Sequence, residues 1–317
     1  MKIIRNCILF LLFCGCLACN KEKIDKNKTT FFPIYVDKFS DDWTCSINPG
    51  EGANFTNAEF RLWVPDPKDV SKLKAVLVLL ESYNGNGLSM ANSKQWREYA
   101  ITNNLALVGV YFATLPPSEE KLYSDARGAS GRALLMALEA IAARNNISSV
   151  ASLPFLLRGY SAGGQFSYYF SSFKPERTIA FASIRGWFVE ETPSTNKSIP
   201  GLFLMEADTI DLETREMILN KRNESGLWAW AVEPGTDHYS STNKSDSLIV
   251  KFFTAALKAR TGTNSTELTT ISEDSGWLGN DDTKLISSYA TFPEDKKKAF
   301  WLIDETVAKA WVSYQKK

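Results

Sequence analysis

From residue 58 onward, apolar runs of strand length alternate with amphipathic stretches of helix length. Ala58–Val64 alternates polar and apolar positions up to Leu62, as a half-buried strand does, and Pro65-Asp66-Pro67 stops it. Lys74–Leu80 is apolar throughout after its first residue, the pattern of a strand buried on both faces, so a parallel or mixed sheet covered by helices on both sides is expected. A Gly- and Asn-rich loop over 81–87 follows. The same reading predicts a helix over Ser93–Asn103, a strand over Leu105–Phe112, and a long loop opened by Pro116-Pro117. Ser130 is placed to cap a helix running to Asn145, with Leu134, Leu138 and Ile141 on one face. Beyond it come strands ending at Tyr160, over Thr178–Ile184, over Pro200–Met205 and over Gly226–Val232, with helices over Leu212–Lys221 and Ser247–Arg260. Residues 261–296 read as a polar insertion held down by Trp277, and Ile303–Trp311 as an amphipathic helix with Ile303, Val307 and Trp311 on its buried face. This alternation specifies a doubly wound α/β domain whose site lies at the carboxyl ends of the strands.

The stretch before residue 58 reads differently. Lys2 and Arg5 precede an apolar core from Ile8 to Phe13, and small residues lead to Cys19, the plan of an export signal over 1–18 and too short for a membrane span. Leu17-Ala18-Cys19 resembles a bacterial lipoprotein processing site, which implies lipidation at Cys19, with cleavage as an ordinary periplasmic or secreted protein as the alternative. Residues 19–31 have the charged, polar composition of a flexible tether, leaving 32–317 as the folded domain. Asn20 after Cys19, in place of an aspartate, leans toward an outer-membrane anchor facing the cell envelope. A first short strand is expected over Thr30–Val36, then a loop carrying Cys45 and the Pro49-Gly50-Glu51-Gly52 turn. Cys45 itself reads as a structural thiol.

The sharpest chemical signal is Gly159-Tyr160-Ser161-Ala162-Gly163-Gly164, which closes an apolar run and opens a helical one. Small residues flanking Ser161 let strand and helix backbones approach, and a tight turn there raises the hydroxyl for attack. A serine nucleophile needs a base, and the chain has one histidine in 317 residues. His238 sits in a Pro-Gly-containing loop straight after a predicted strand. The acid that would orient it is read as Asp208, three residues past the Pro200–Met205 strand, with Asp211 as the first alternative and Glu190 or Glu191 further back. Asp237 adjoins His238 and is poorly placed to reach its far ring nitrogen. For the oxyanion, the backbone N–H of Ala162 is the natural first donor, and those of Tyr83 or Asn84 in the loop after Leu80 are candidates for the second. Tyr160 and Gln165 are candidates for the substrate pocket. Arg158 reads as a salt-bridge residue or a binder of an acidic substrate group.

With serine, acid and histidine in this order, the sequence resembles the α/β-hydrolase superfamily, and more closely its secreted bacterial esterases of the polyhydroxybutyrate depolymerase and feruloyl esterase group. The similarity lies in Ser130-Gly131-Arg132-Ala133-Leu134, in the Gly159–Gly164 turn, in Leu227-Trp228-Ala229-Trp230 with Glu233-Pro234-Gly235-Thr236-Asp237-His238, and in Trp301-Leu302. Met205 and Asp237 replace glycines usual in that group. The resemblance implies an α/β-hydrolase fold with a central, mostly parallel sheet of about eight strands and helices on both faces. It also implies a serine esterase working by two-step acyl transfer on small or polysaccharide-linked esters, acetyl or hydroxycinnamoyl esters among them. A serine peptidase or amidase, a polyester depolymerase, or a non-catalytic binding lipoprotein are the competing readings.

Composition narrows the partners. Lys+Arg and Asp+Glu are both 36, so there is no basic footprint for nucleic acid. Without Lys2 and Arg5 the balance becomes 34 against 36. No cofactor is implied, nor a protein partner, and a metal site is not expected from one histidine and no cysteine cluster.

Overall fold

The computed structural model of the chain describes residues 34–114, 122–186, 195–208, 212–262 and 267–316, which fall within the compact unit Phe32–Lys317. The readings made for residues 1–31, for Glu190 and Glu191, and for Asp211 lie outside the described residues.

The apolar runs form a nine-stranded sheet in the order β1-β2-β3-β5-β4-β6-β7-β8-β9. Strands β4 (Ala75–Leu80), β5 (Leu105–Ala113), β6 (Phe155–Tyr160), β7 (Thr178–Ile184), β8 (Gly201–Glu206) and β9 (Trp228–Glu233) are mutually parallel. Strands β1 (Tyr35–Asp41), β2 (Thr44–Asn48) and β3 (Asn57–Trp63) extend that sheet antiparallel from β5. Every residue of β4, β7 and β8 is buried, as continuous apolar runs require, whereas β3 alternates half-buried and buried positions. A mostly parallel central sheet of this order, crossed over by helices, is the α/β-hydrolase architecture.

Helices cover both faces, α4 (Leu212–Asn223) among them beside β9. Phe155 of β6 packs edge-on against Phe170 of α3 (Ala162–Phe173) at 5.2 Å between ring centres. Arg158, three residues on and therefore on the opposite face, reaches Asp246 of α5 (Asn243–Arg260) at 2.9 Å. Helix α1 (Lys94–Asn103) lies beside α5, with Thr254 and Tyr99 hydroxyls 3.4 Å apart. Helix α2 (Ala129–Arg144) lies beside α3, where Phe173 crowds Gly131.

The first strand, expected over Thr30–Val36, runs Tyr35–Asp41 among the described residues, and three further features depart from the sequence reading. The segment around Cys45 is strand β2 rather than a loop, with the thiol buried, and this raises the sheet to nine strands. Ser130 does not cap α2. Asn54, on the β2–β3 connection, accepts from the Ser130 N–H at 2.9 Å, while the Ser130 hydroxyl donates to the Tyr123 carbonyl at 2.7 Å. The stretch read as a polar insertion supplies β10 (Trp277–Gly279) and β11 (Ile286–Ser288), which with β12 (Phe300–Leu302) form a second, antiparallel sheet. The last helix, α6 (Glu305–Tyr314), ties this sheet to the main one, since Trp311 Nε1 donates to the Trp230 carbonyl at 2.7 Å.

The half of the main sheet that carries the site is locked by aromatic packing. Phe181, Phe203 and Trp228 on neighbouring strands meet at 5.5 Å and 5.6 Å between ring centres, and Tyr168 of α3 closes on Trp228 at 5.8 Å. Such pairs contribute about 0.5–1.5 kcal/mol each beyond the area they bury.

Candidate active site

Strand β6 ends at Tyr160 and α3 begins at Ala162, so Ser161 alone makes the turn, with φ 55° and ψ −120°. That conformation is costly for any residue with a Cβ and persists only where the surroundings enforce it. The enforcement is steric. A Cβ on Gly159 would overlap the Gly163 carbonyl, one on Gly163 would sit 2.6 Å from the Glu81 carbonyl oxygen, and one on Gly164 would sit 2.5 Å from Ser183 Oγ. The Ser161 N–H donates to the Ile184 carbonyl at 2.8 Å, which keeps the turn paired to the end of β7.

His238 enters from the loop after β9. Its Nε2 lies 3.1 Å from Ser161 Oγ and its Nδ1 lies 3.1 Å from Glu206 Oε1. The His238 side chain is 25% exposed and the Glu206 side chain 0%, so the imidazole is partly open to solvent while its carboxylate partner is sealed. Tyr160, next to the serine, holds its ring 5.5 Å from the imidazole, tilted by 30°, and donates its hydroxyl to the His238 carbonyl at 2.5 Å. Burial raises the Tyr160 pKa above the usual phenol value, so the hydroxyl stays a donor.

The structure places the Glu206 carboxylate on His238 Nδ1, where the sequence reading expects Asp208. Strand β8 stays paired with β9 through Glu206 opposite Glu233, and the strand's last side chain already reaches the imidazole. Asp208 lies exposed in the bend two residues later, where its backbone N–H, like that of Ala207, donates to the Thr236 carbonyl. A glutamate, one methylene longer than an aspartate, spans from the strand what an aspartate was expected to span from the loop. Sequence reasoning passed over Glu206 as a strand terminus. The available signal was a carboxylate closing a run of five apolar or small residues, since a buried charge demands a partner. Asp237 serves the loop instead. It accepts from the Ser240 hydroxyl at 2.7 Å and the Tyr239 N–H at 3.0 Å, bonds that depress its pKa and shape the turn carrying His238.

The remaining candidates separate. Ala162 is the first residue of α3 and carries an N–H at the positive end of the helix. The loop after β4 passes beside the elbow at Glu81, as the crowding at Gly163 records. Tyr83 and Asn84 in that loop turn their side chains to the end of β5: the Tyr83 hydroxyl donates to the Thr114 carbonyl at 3.3 Å, and Asn84 Oδ1 accepts from the Thr114 N–H at 2.9 Å. Gln165 lies in the first turn of α3, its N–H bonded to the Ser161 carbonyl at 3.1 Å. Arg158 is a buried salt-bridge residue, held by Asp246 at 2.9 Å and Glu81 at 3.1 Å. Among the described residues, no cluster of three His, Cys, Asp or Glu side chains is arranged to hold a metal.

The sequence matches no family model and no curated protein. Solved structures similar to it include esterase PE8, at 15% identity and a TM-score of 0.44 over 61% of this chain and 98% of that one. An S-formylglutathione hydrolase from Agrobacterium tumefaciens is 12% identical, with a TM-score of 0.46 over 72% of this chain and 99% of its own. A phospholipase/carboxylesterase from Dyadobacter fermentans is 13% identical, with a TM-score of 0.41 over 61% and 94%. None of the three is named as a polyhydroxybutyrate depolymerase or a feruloyl esterase. With identities this low, the relay of Ser161, His238 and Glu206 is the ground on which function is read.

Proposed function

We propose that this protein is a serine hydrolase of carboxylic esters, with Ser161 as nucleophile, His238 as general base and Glu206 as the acid that orients it. The observation that carries the reading is the continuous hydrogen-bonded line from Ser161 Oγ through both ring nitrogens of His238 to a fully buried carboxylate. Glu206 accepts a hydrogen bond from Nδ1–H, which holds the tautomer whose Nε2 is free to take the proton of the serine hydroxyl. Ser161 Oγ attacks the ester carbonyl as that proton moves to Nε2. The Ala162 N–H, with an N–H from the loop after β4 at Tyr83 or Asn84, receives the oxyanion. The tetrahedral intermediate collapses, Nε2 protonates the leaving alkoxide, and an alcohol departs. Water, deprotonated by the same nitrogen, then attacks the acyl-enzyme and releases the carboxylic acid.

The reading extends to an exported, lipid-anchored protein tethered through residues 19–31 and acting on esters outside the cytoplasm, acetyl or hydroxycinnamoyl esters of polysaccharides among them. Its support is the signal-like composition of residues 1–18 and the Leu17-Ala18-Cys19 triplet.

Treatment of the purified protein with a fluorophosphonate, followed by peptide mass spectrometry, tests the mechanism without a guess at the substrate. A stoichiometric adduct on Ser161 that is lost in His238→Ala is expected. A folded protein that leaves Ser161 unlabelled would overturn the proposal.

A further inference from the structure

Arg185 is the residue after β7, and it has no part in the relay just described. Its backbone is in the left-handed region, φ 51°, and its N–H is bonded to the Leu204 carbonyl of β8 at 2.7 Å. The side chain is 1% exposed. From that position its guanidinium donates to the carbonyl of His238 at 3.1 Å, to that of Ser240, and to that of Ser241 at 3.4 Å. The charge is balanced by Glu233, the last residue of β9, whose Oε2 lies 3.5 Å from Arg185 Nη2 and accepts from Tyr314 of α6 at 3.3 Å. The His238 carbonyl is thus gripped twice, by Arg185 and by the Tyr160 hydroxyl.

We infer that Arg185 and Tyr160 form a clamp that positions the general base: together they fix the backbone of the His238 loop so that the imidazole stays in line between Ser161 and Glu206. The inference rests on the assignment of His238 as base made above. Three carbonyls pointing at one place are a poor arrangement unless a donor is there, because their dipoles otherwise repel, and here they converge on a guanidinium that is itself buried. The planar fork of an arginine satisfies several of them at once, which the single ammonium of a lysine cannot do. The left-handed backbone at Arg185 has the same logic, being costly locally and retained because the surrounding bonds hold it. Glu206 is left to the imidazole because the neighbouring carboxylate, Glu233, opposite it in the strand register, takes the guanidinium. Neither clamp residue has a role in bond making here; both act through the placement of His238.

The single histidine makes the test specific, because every imidazole signal in the protein belongs to His238. Tyr160→Phe removes one grip with a minimal change in shape, and Arg185→Lys removes the fork while keeping the charge. Expected for Tyr160→Phe is a fall in kcat of about five- to tenfold with KM unchanged, a parallel slowing of fluorophosphonate labelling, and broadening or displacement of the low-field Nδ1 proton resonance of His238. Arg185→Lys is expected to lose more in kcat, again with KM unchanged. If Arg185→Lys fails to fold, Tyr160→Phe decides alone. A folded Tyr160→Phe protein that keeps kcat within twofold and an unaltered His238 resonance overturns the clamp. Should the unmodified protein show neither esterase activity nor labelling, the proposed function fails, yet the His238 resonance in the variants still decides whether the loop is held as described.

Discussion

Replacing Glu206 by glutamine and Asp208 by asparagine separates the carboxylate bonded to His238 in the structure from the acid expected in the sequence. Both changes remove one negative charge two residues apart, so a general electrostatic effect would be similar for the two. Glu206 bonds the imidazole directly, at 3.1 Å between Oε1 and Nδ1, from a fully buried position, whereas Asp208 is exposed. With charge centres about 4 Å apart and an effective dielectric constant of about 20, the carboxylate stabilises an imidazolium by about 4 kcal/mol. At 1.36 kcal/mol per factor of ten, this corresponds to about a thousandfold in rate. An amide also permits the wrong imidazole tautomer, which brings the expected loss in kcat/KM to about 10³- to 10⁴-fold. Asp208→Asn should stay within about twofold, as exposed substitutions usually do. The assay is hydrolysis of p-nitrophenyl acetate, with thermal melting to show that both variants are folded. Glu206→Gln removes a buried charge, so its melting temperature should not fall in proportion to its activity. Retention of kcat/KM within tenfold in Glu206→Gln, or an equal loss in Asp208→Asn, would refute the argument.

Ser161→Gly should abolish activity while raising the melting temperature by about 2–4 °C, because glycine adopts φ 55°, ψ −120° without strain; a melting temperature below that of the parent counts against a strained turn. Gly159→Ala should cost several kcal/mol, of order 3, and remove labelling of Ser161, since its Cβ has no space against the Gly163 carbonyl; a stable, fully labelled variant would contradict the packing described. Burial pushes the Cys45 thiol from 9.0 up to about 12 and the Tyr99 phenol from 10.0 up to about 12, and it raises Tyr123 and Tyr314 as well. The folded protein therefore holds protons that the unfolded chain releases, so stability is complete below the ordinary thiol value and declines as pH rises through about 9 to 12. Urea midpoints measured across that range should fall steadily, and Cys45 should resist iodoacetamide at pH 8 until the chain is unfolded; a flat midpoint or rapid native alkylation speaks against it.

The parallel half of the sheet was legible because burial on both faces leaves no polar positions. The strand over Thr178–Ile184 has the expected limits, β4 and β5 differ from expectation by one residue at one end, and β8 by one residue at each end. Strand β2 was not legible: Thr-Cys-Ser-Ile-Asn has the composition of a loop, and what makes it a strand is pairing with β3 and cover from α2, neither of which is local. Strands β10 and β11 have three residues each, too few for a period to show. Ser161 and His238 were legible because a strand-turn-helix pattern and a single histidine leave little choice. Their meeting at 3.1 Å was not, since 77 residues separate them. Glu206 and Arg185 escaped for a shared reason. Each adjoins or ends a strand, where a charged side chain ordinarily signals return to solvent, and here both are drawn inward by the His238 loop.

The absence of room for side chains around the elbow also limits how this chain can diversify. Gly159 and Gly163 are closed to any Cβ without backbone movement, as is Gly186, which would crowd Ser161 from the end of β7, while a Cβ on Gly164 would displace the Ser183 hydroxyl. Positions 160 and 162 beside the nucleophile already carry a Cβ, and one of them holds the tyrosine that grips the His238 loop. Within the turn, then, mutation reaches the alignment of the base far more readily than the placement of the hydroxyl. Lineages descending from this sequence would be expected to alter catalytic efficiency through residue 160 and to leave the elbow itself almost invariant.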